Sequence, residues 1–265
     1  MKKNITILTL FILAFCASLS AQEIYILHHE NGNIKVKGAL KDGKKIGLWE
    51  AYDADKKLII KREYDNNILA KNYLSDIENK EDELKLEDVL WSKRIVRNLT
   101  SNSAKNSPLY TKEYLRLVLI KAIKNNKING YTTLEFDTVL SQSTAMSIVA
   151  NMNINKSSFT LKEDWFFNKK TNSMDVLLVA LAITTDDNTA DISFYYPEIK
   201  ELFHNEELML GDQKSTLGNY FKYRLFESEI TKESSINEKE MTSKRAKEIE
   251  KLLLDTEIYF WFKNN

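Results

Sequence analysis

The sequence is poor in the residues on which most metal proteins and many enzymes depend. It has one cysteine, Cys16, and three histidines, His28, His29 and His204. Adjacent residues of a strand point to opposite faces, so His28 and His29 cannot easily share an ion, and His204 has no second ligand at a metal-binding spacing. The sequence therefore predicts no metal site and no cofactor.

Motifs for phosphate binding and nucleophilic catalysis are also lacking. Gly211-Asp-Gln-Lys-Ser215 resembles the end of a phosphate-binding loop, but no glycine directly precedes the lysine, which favours a surface loop before a helix. No Gly-x-Ser-x-Gly motif occurs. The acidic pairs Glu163-Asp164 and Asp186-Asp187 could supply an acid and a base, but neighbouring strand residues point apart, and Asp186-Asp187-Asn188 is typical of a hairpin turn. A protein without enzymatic activity is favoured.

The first residues have the pattern of an export signal. Lys2 and Lys3 precede the apolar stretch Ile5–Ala14, and small residues around Ala21 suit cleavage. The apolar run is about half of the ~20 residues that span a bilayer, which disfavours a membrane anchor. We therefore predict a signal peptide at residues 1–21, cleaved after Ala21.

Cleavage would remove the only cysteine. A lipid-modified Cys16 is the alternative, but Phe15 occupies a position where a small residue is required. After cleavage at Ala21, the mature chain could form no internal disulfide and no thiolate metal site or nucleophile. Without Lys2 and Lys3 its net charge is −2, which provides no field for collecting nucleic acid.

Residues 22–74 predict an antiparallel β-meander of about four strands. Asn31-Gly32 and Asp42-Gly43 are hairpin signals, because a type I′ turn needs positive φ at both central residues. The stretch 31–52, with Gly38, Gly43 and Gly47 followed by Trp49 and Tyr52, resembles a MORN-type hairpin repeat, and a degenerate copy ends near Asn67. The glycines would let hairpins approach closely. Because so few repeats cannot bury their face alone, this segment needs a following domain or a partner.

A charged linker at residues 75–85 predicts a domain boundary, followed by an α+β domain over residues 86–265. Apolar residues at helical spacing between Leu86 and Leu99 predict a first helix, and a second begins at the cap Thr111. Runs at 159–167 and 174–183 predict a hairpin, although Val176–Ala182 also fits a buried helix. The remaining predicted elements are a strand at 192–196, a helix opened by Pro197, a helix capped by Ser215 or Thr216, and a last helix at 242–262.

Aromatic residues are abundant, and some occur in consecutive runs. Three consecutive aromatic side chains cannot all face one core from a strand, so some of them must face a second layer or a partner protein. Plain packing is the alternative for each candidate. The predicted interface residues are Trp91, Arg94, Trp165, Tyr195 and Tyr196.

Several ordered strings occur between about residues 84 and 265. They are Glu87–Arg94, Lys162–Phe167, Met174–Val176, Phe194–Glu198, Arg224–Ser228, Ile230–Glu233 and Asp255–Trp261. In this order they resemble the GldN/PorN family of the type IX secretion and gliding-motility apparatus. The resemblance implies a non-enzymatic periplasmic protein that forms a homo-oligomeric ring beneath the outer membrane. It also implies two partners, a GldK/PorK-like outer-membrane lipoprotein and the periplasmic part of a GldM/PorM-like motor protein.

Two features depart from the family pattern. A second tryptophan usually follows Trp91-Ser-Lys-Arg94, where this chain has Ile95-Val-Arg-Asn-Leu99, and the MORN-like segment is not part of the usual pattern. Two alternatives therefore stay open. One is a MORN-led binding module of an immunity or antitoxin type, and the other is a periplasmic hydrolase using acids near Glu163-Asp164.

Overall fold

The computed structural model describes residues 22–73, 85–101, 103–110, 114–153, 156–184, 191–210, 213–233 and 241–263. These residues form two compact units, one ending at residue 73 and one beginning at residue 85. The predicted signal peptide, the predicted linker except Lys85, the cap Thr111 and the turn Asp186-Asp187-Asn188 lie outside the described residues. None of the described helices is both long enough and apolar enough to cross a membrane.

The first unit is a five-stranded antiparallel meander in the order β1-β2-β3-β4-β5. The expected count of about four strands is too low by one. Asn66 and Asn67 adopt φ angles of 50° and 71°, which asparagine tolerates, and this turn returns the chain as a fifth strand. The strands are β1 (Glu23–His28), β2 (Ile34–Lys41), β3 (Lys44–Tyr52), β4 (Leu58–Asp65) and β5 (Ile68–Asn72).

Both predicted glycine hairpins form, but only one has the predicted turn type. Asp42 and Gly43 have φ angles of 52° and 72°, as a two-residue type I′ connection requires. At the other hairpin Gly32 has positive φ while Asn31 does not. The connection there is longer, and the N–H of His29 donates to the carbonyl of Asn33 at 2.8 Å.

Trp49 forms the centre of the buried face of the first unit. Its indole ring lies directly over Gly38, where a Cβ atom would overlap the ring. The rings of Tyr25 and Tyr64 lie 5.3 and 6.4 Å from it. Within the β2-β3 hairpin, position 38 therefore needs glycine because the Trp49 ring covers it. The other buried apolar side chains of this face are Val36, Leu40, Ala51 and Ile60.

The second unit contains a five-stranded antiparallel sheet in the order β12-β6-β7-β8-β9 and a separate hairpin β10-β11, so the predicted α+β class is confirmed. Its strands are β6 (Val89–Leu99), β7 (Ser158–Asn168), β8 (Ser173–Thr184), β9 (Asp191–Tyr195), β10 (Glu207–Leu210), β11 (Gln213–Thr216) and β12 (Ser228–Glu233). Its helices are α1 (Ser107–Tyr110), α2 (Tyr114–Lys124), α3 (Gln142–Asn151), α4 (Tyr196–His204), α5 (Leu217–Lys222) and α6 (Ser243–Lys263).

The helix predicted between Leu86 and Leu99 is wrong. A short 3-10 turn at Leu86–Asp88 leads into β6, in which burial alternates along the strand. The alternation was hidden in the sequence because Lys93 and Arg97 occupy positions on the same face as buried Ile95 and Leu99. A charged residue on the core side of a strand removes the period-two pattern of apolar residues.

Most other predicted elements of this unit are confirmed. The hairpin β7-β8 pairs from Ser158 opposite Thr184 to Asn168 opposite Ser173, which excludes the alternative helix. Pro197 lies in the first turn of α4, and the Thr216 hydroxyl caps α5. That helix ends at Lys222, and Arg224 adopts a φ of 51° just beyond it.

Side chains of β7 define two faces of the large sheet. The inner face carries Phe159, Leu161, Glu163, Trp165 and Phe167, and the helices pack on this side. The outer face carries the intervening residues, including Lys162, Asp164 and Phe166. Residues that lie directly opposite each other on paired strands share a face of the sheet. The pairing of β7 with its neighbours therefore shows which residues of those strands lie on the inner face and which on the outer face.

Candidate protein-interaction face

A cluster of four charged side chains lies on the inner face, with Glu163, Arg97 and Arg224 buried and Glu250 33% exposed. The Glu163 carboxylate is fully buried and accepts hydrogen bonds from Arg97 Nε at 2.7 Å, from Trp165 Nε1 at 2.8 Å and from Arg224. Arg97 also donates to Glu250 on α6 at 2.5 Å. Two positive and two negative groups are thereby balanced, as burial of charge requires.

The environment of Glu163 keeps this carboxyl ionised. Burial raises its pKa, but the guanidinium groups of Arg224 and Arg97 outweigh that effect and hold the pKa at about 2. A carboxylate that is fully enclosed and held ionised cannot exchange a proton with a substrate in solution. The hydrolase alternative therefore loses Glu163, and in the described ranges no three His, Cys, Asp or Glu residues are grouped to hold a metal ion.

A second charge pair lies on the outer face and is accessible to solvent. Arg94 Nε and Nη2 donate to the two oxygens of Asp164 at 2.6 and 2.7 Å, a bidentate geometry. The hydrogen bonds to Asp164 raise the pKa of Arg94. Leu177 lies opposite Asp164 in the sheet and is half exposed. An exposed apolar side chain beside a fixed ion pair suits protein contact.

The loop 131–139 covers one end of the outer face. Buried Lys162 donates to the Leu134 carbonyl at 2.9 Å and to Glu135 Oε2 at 2.6 Å. The ring of Phe136 packs edge-to-face on Tyr195, with centroids 5.4 Å apart. Phe136 has a φ of 62°, a conformation that is unusual for a bulky residue. The loop is thus held by specific side-chain contacts.

The same loop extends the hydrogen bonding of the sheet beyond β9. The N–H of Tyr131 donates to Ser193 O at 2.8 Å, and the N–H of Ser193 donates to Tyr131 O at 2.9 Å. The hydrogen bond from Lys162 lowers the pKa of Glu135, and Arg94 contributes in the same direction. Glu135 therefore links the loop electrostatically to the Arg94–Asp164 pair.

The structure separates the five predicted interface residues. Arg94 and Tyr195 are both exposed on the outer face, in two adjacent rows of residues across the strands. The row of Arg94 continues to Leu177, and the row of Tyr195 contains Lys162. Trp165 is buried beneath Arg97 and Arg224, and Tyr196 is buried against Phe203 and Phe221. Trp91 is partly buried, and its pairing with Phe167 places it on the inner face.

Sequence reasoning missed Asp164 as the partner of Arg94, and it missed Leu177 and the loop 131–139. Alternation along the correctly predicted strand β7 could have placed Asp164 and Lys162 on one face. The pairing to Arg94 could not be found while β6 was assigned as a helix. We name the outer-face surface formed by Arg94, Asp164, Leu177, Tyr195 and the loop 131–139 the outer patch.

The family comparison coincides with the second unit. The family model of gliding motility associated protein GldN matches residues 84–261, which is more than half of the chain. A search of the curated proteins found no match to the chain. The matched range begins at the residue before the second unit and contains the whole five-stranded sheet, the buried charge cluster and the outer patch. On this match, the chain belongs to the GldN family of gliding motility associated proteins.

Proposed function

We propose that this member of the GldN family is a non-enzymatic structural subunit of the type IX secretion and gliding-motility apparatus. It is exported to the periplasm, with cleavage after Ala21, and joins an outer-membrane-associated ring with a GldK/PorK-like lipoprotein. It also contacts the periplasmic part of a GldM/PorM-like motor protein. The observation that carries the proposal is the family match across the second unit.

The outer patch is the contact surface in this proposal. Arginine and tyrosine are enriched at protein interfaces, and Arg94 and Tyr195 present both on one sheet face. The bidentate pair fixes the Arg94 guanidinium before a partner arrives, which reduces the side-chain entropy lost on binding. Leu177 supplies exposed apolar area beside it. These features support a specific protein contact at this position.

Affinity capture from cell envelopes tests the proposal. The protein is tagged at its C-terminus and expressed in its native cells, and co-purifying proteins are identified by mass spectrometry. We expect a GldK/PorK-like lipoprotein or a GldM/PorM-like motor protein to be recovered. Recovery of neither, with another single partner instead, would favour the MORN-led binding module.

Two matched variants test the outer patch itself. Leu177→Asp places a carboxylate in the patch, whereas Leu117→Asp changes a leucine of similar exposure on α2. We expect the first variant to lose at least one partner and the second to retain both. Equal recovery with the two variants, at unchanged urea midpoints, would place the contact elsewhere on the second unit.

A further inference from the structure

The first unit lies outside the residues that match the GldN family, and its first strand has an unusual edge. β1 stands at one end of the sheet order. Ile24 and Ile26 point from one face of this strand with exposed fractions of 74 and 49%. Within the part of the chain that the structure describes, no strand pairs with the outer edge of β1. Such an edge presents backbone donors and acceptors that another strand can pair with.

The other sheet edges of the two large sheets carry protective features that β1 lacks. β12 has three charged residues among six and a bulge between Ile230 and Lys232. The edge at β9 is covered by Tyr131, and β5 carries Lys71. In contrast, the four central residues of β1, 24–27, are Ile-Tyr-Ile-Leu and carry no charge. The pairing of β1 with β2 is irregular only at the C-terminal end of β1, between Leu27 and His28. Charges, bulges and cover are the usual means of blocking edge-to-edge pairing.

We propose that β1 pairs antiparallel with β1 of a second copy of this chain, joining two five-stranded sheets into one of ten strands. The occupant is inferred from the palindromic segment Ile24-Tyr25-Ile26. With Tyr25 opposite Tyr25 of the second copy, Ile24 lies opposite Ile26 and Glu23 lies opposite Leu27. No like charges face each other, and all four isoleucines share one face of the joined sheet.

The contact is small, which sets its expected strength. Six residues per strand bury much less than the roughly 1,600 Å² of a standard protein interface. The isolated dimer is therefore weak and depends on concentration. Inside a larger assembly, where copies are held near one another, the same contact would form at a much lower total concentration. This inference goes beyond the proposed function, because it concerns residues outside the family match.

Sedimentation velocity of the chain from Gln22 onward tests the inference with a matched pair of variants. Ile26→Lys introduces a charge on β1, and Leu48→Lys introduces the same charge at a similarly exposed site on the same face of the inner strand β3. We expect a monomer–dimer equilibrium whose Kd rises tenfold or more in Ile26→Lys and little in Leu48→Lys. A monomer at every concentration, equal effects of the two variants, or no effect of Ile26→Lys would overturn the proposal.

Disulfide cross-linking tests the register. The chain from Gln22 onward contains no cysteine, because Cys16 is the only one in the sequence. In the double variant Ile24→Cys/Ile26→Cys, the proposed pairing places each new thiol opposite one from the second copy. We expect a covalent dimer on mild oxidation at protein concentrations near the dimer Kd, and none with Leu48→Cys at the same concentration. Cross-linking no greater than that of Leu48→Cys would contradict this register.

Loss of the β1 contact is distinguishable from failure of the proposed function. Ile26→Lys alters the first unit only, so it should leave recovery of the lipoprotein or motor protein from cell envelopes unchanged. Leu177→Asp should have the opposite pattern, with partner recovery reduced and the dimer Kd of the purified protein unchanged.

Discussion

Glu163 and Asp164 are neighbours in the chain, yet their side chains lie on opposite faces of one sheet. Glu163 is fully buried among Arg97, Arg224 and Trp165, whereas Asp164 is partly exposed and pairs with Arg94. Because successive strand residues point apart, one acidic dipeptide provides both an internal charge and half of a surface ion pair. The two carboxylates should therefore differ sharply in their effect on stability.

Replacing Glu163 by glutamine is expected to destabilise the second unit by roughly 3–5 kcal/mol, because two buried guanidinium groups lose their shared counter-charge. Asp164→Asn is the matched control and should cost less than about 1 kcal/mol, since its pair is exposed to solvent. Urea unfolding followed by circular dichroism measures both. Similar free energies of unfolding for the two variants would contradict the importance of the buried cluster.

Stability should fall in acid because of the same carboxylate. The pKa of Glu163 is about 2 in the folded chain, below its ordinary value, so its contribution is present above that ordinary value and is lost as the pH falls towards 2. The contribution at neutral pH is about 3 kcal/mol. Urea midpoints measured from pH 6 to pH 2 should decline more steeply for the wild type than for Glu163→Gln. Parallel curves would refute this assignment.

Gly38→Ala is expected to destabilise the first unit by roughly 1–3 kcal/mol, because the added Cβ would overlap the Trp49 ring. A double-mutant cycle with Trp49→Leu isolates this overlap. The cost of the alanine should shrink when the indole is absent, as measured by chemical unfolding. An equal cost in both backgrounds would assign the effect to the backbone of β2 rather than to Trp49.

Lys162→Met should loosen the loop 131–139 without unfolding the sheet. The substitution removes the hydrogen bonds to Leu134 and Glu135. Amide exchange at Thr132 and Phe136, whose N–H groups bond within the loop, should accelerate about tenfold or more. Lys93→Met is the control, because Lys93 pairs with Glu233 on the inner face of the sheet. Unchanged exchange in Lys162→Met would show that Tyr131 and Phe136 suffice to hold the loop.

The sequence predicted elements well where local pattern and core packing agree. The β7-β8 hairpin is such a case, because alternating apolar runs flank a polar turn and both strands are buried. β12 was missed because Ser-Glu-Ile-Thr-Lys-Glu is an edge strand with a single apolar residue. α3 was missed because its short amphipathic pattern is diluted by serine and threonine.

The interface candidates show the same limit. Exposure of Arg94 and Tyr195 and burial of Trp165 depend on which sheet face each residue occupies, and on the pairing of distant strands. Aromatic composition alone carries no information about either property. The cluster around Glu163 also required contacts across 66 and 61 residues, to Arg97 and Arg224, which no local pattern reveals.

The strand order of the second unit has a consequence for the timing of folding. β6 begins that unit, but its two neighbours are β7 and β12, and Arg97 bonds to Glu250, 153 positions later. A ribosome releases these residues in sequence, so Arg97 gains its contact with Glu250 only when nearly the whole polypeptide has been made. The meander of the first unit, built from consecutive hairpins of low contact order, can form long before that. Closure of the second unit is therefore a late event, and its apolar core stays exposed to solvent until synthesis of the chain is nearly complete.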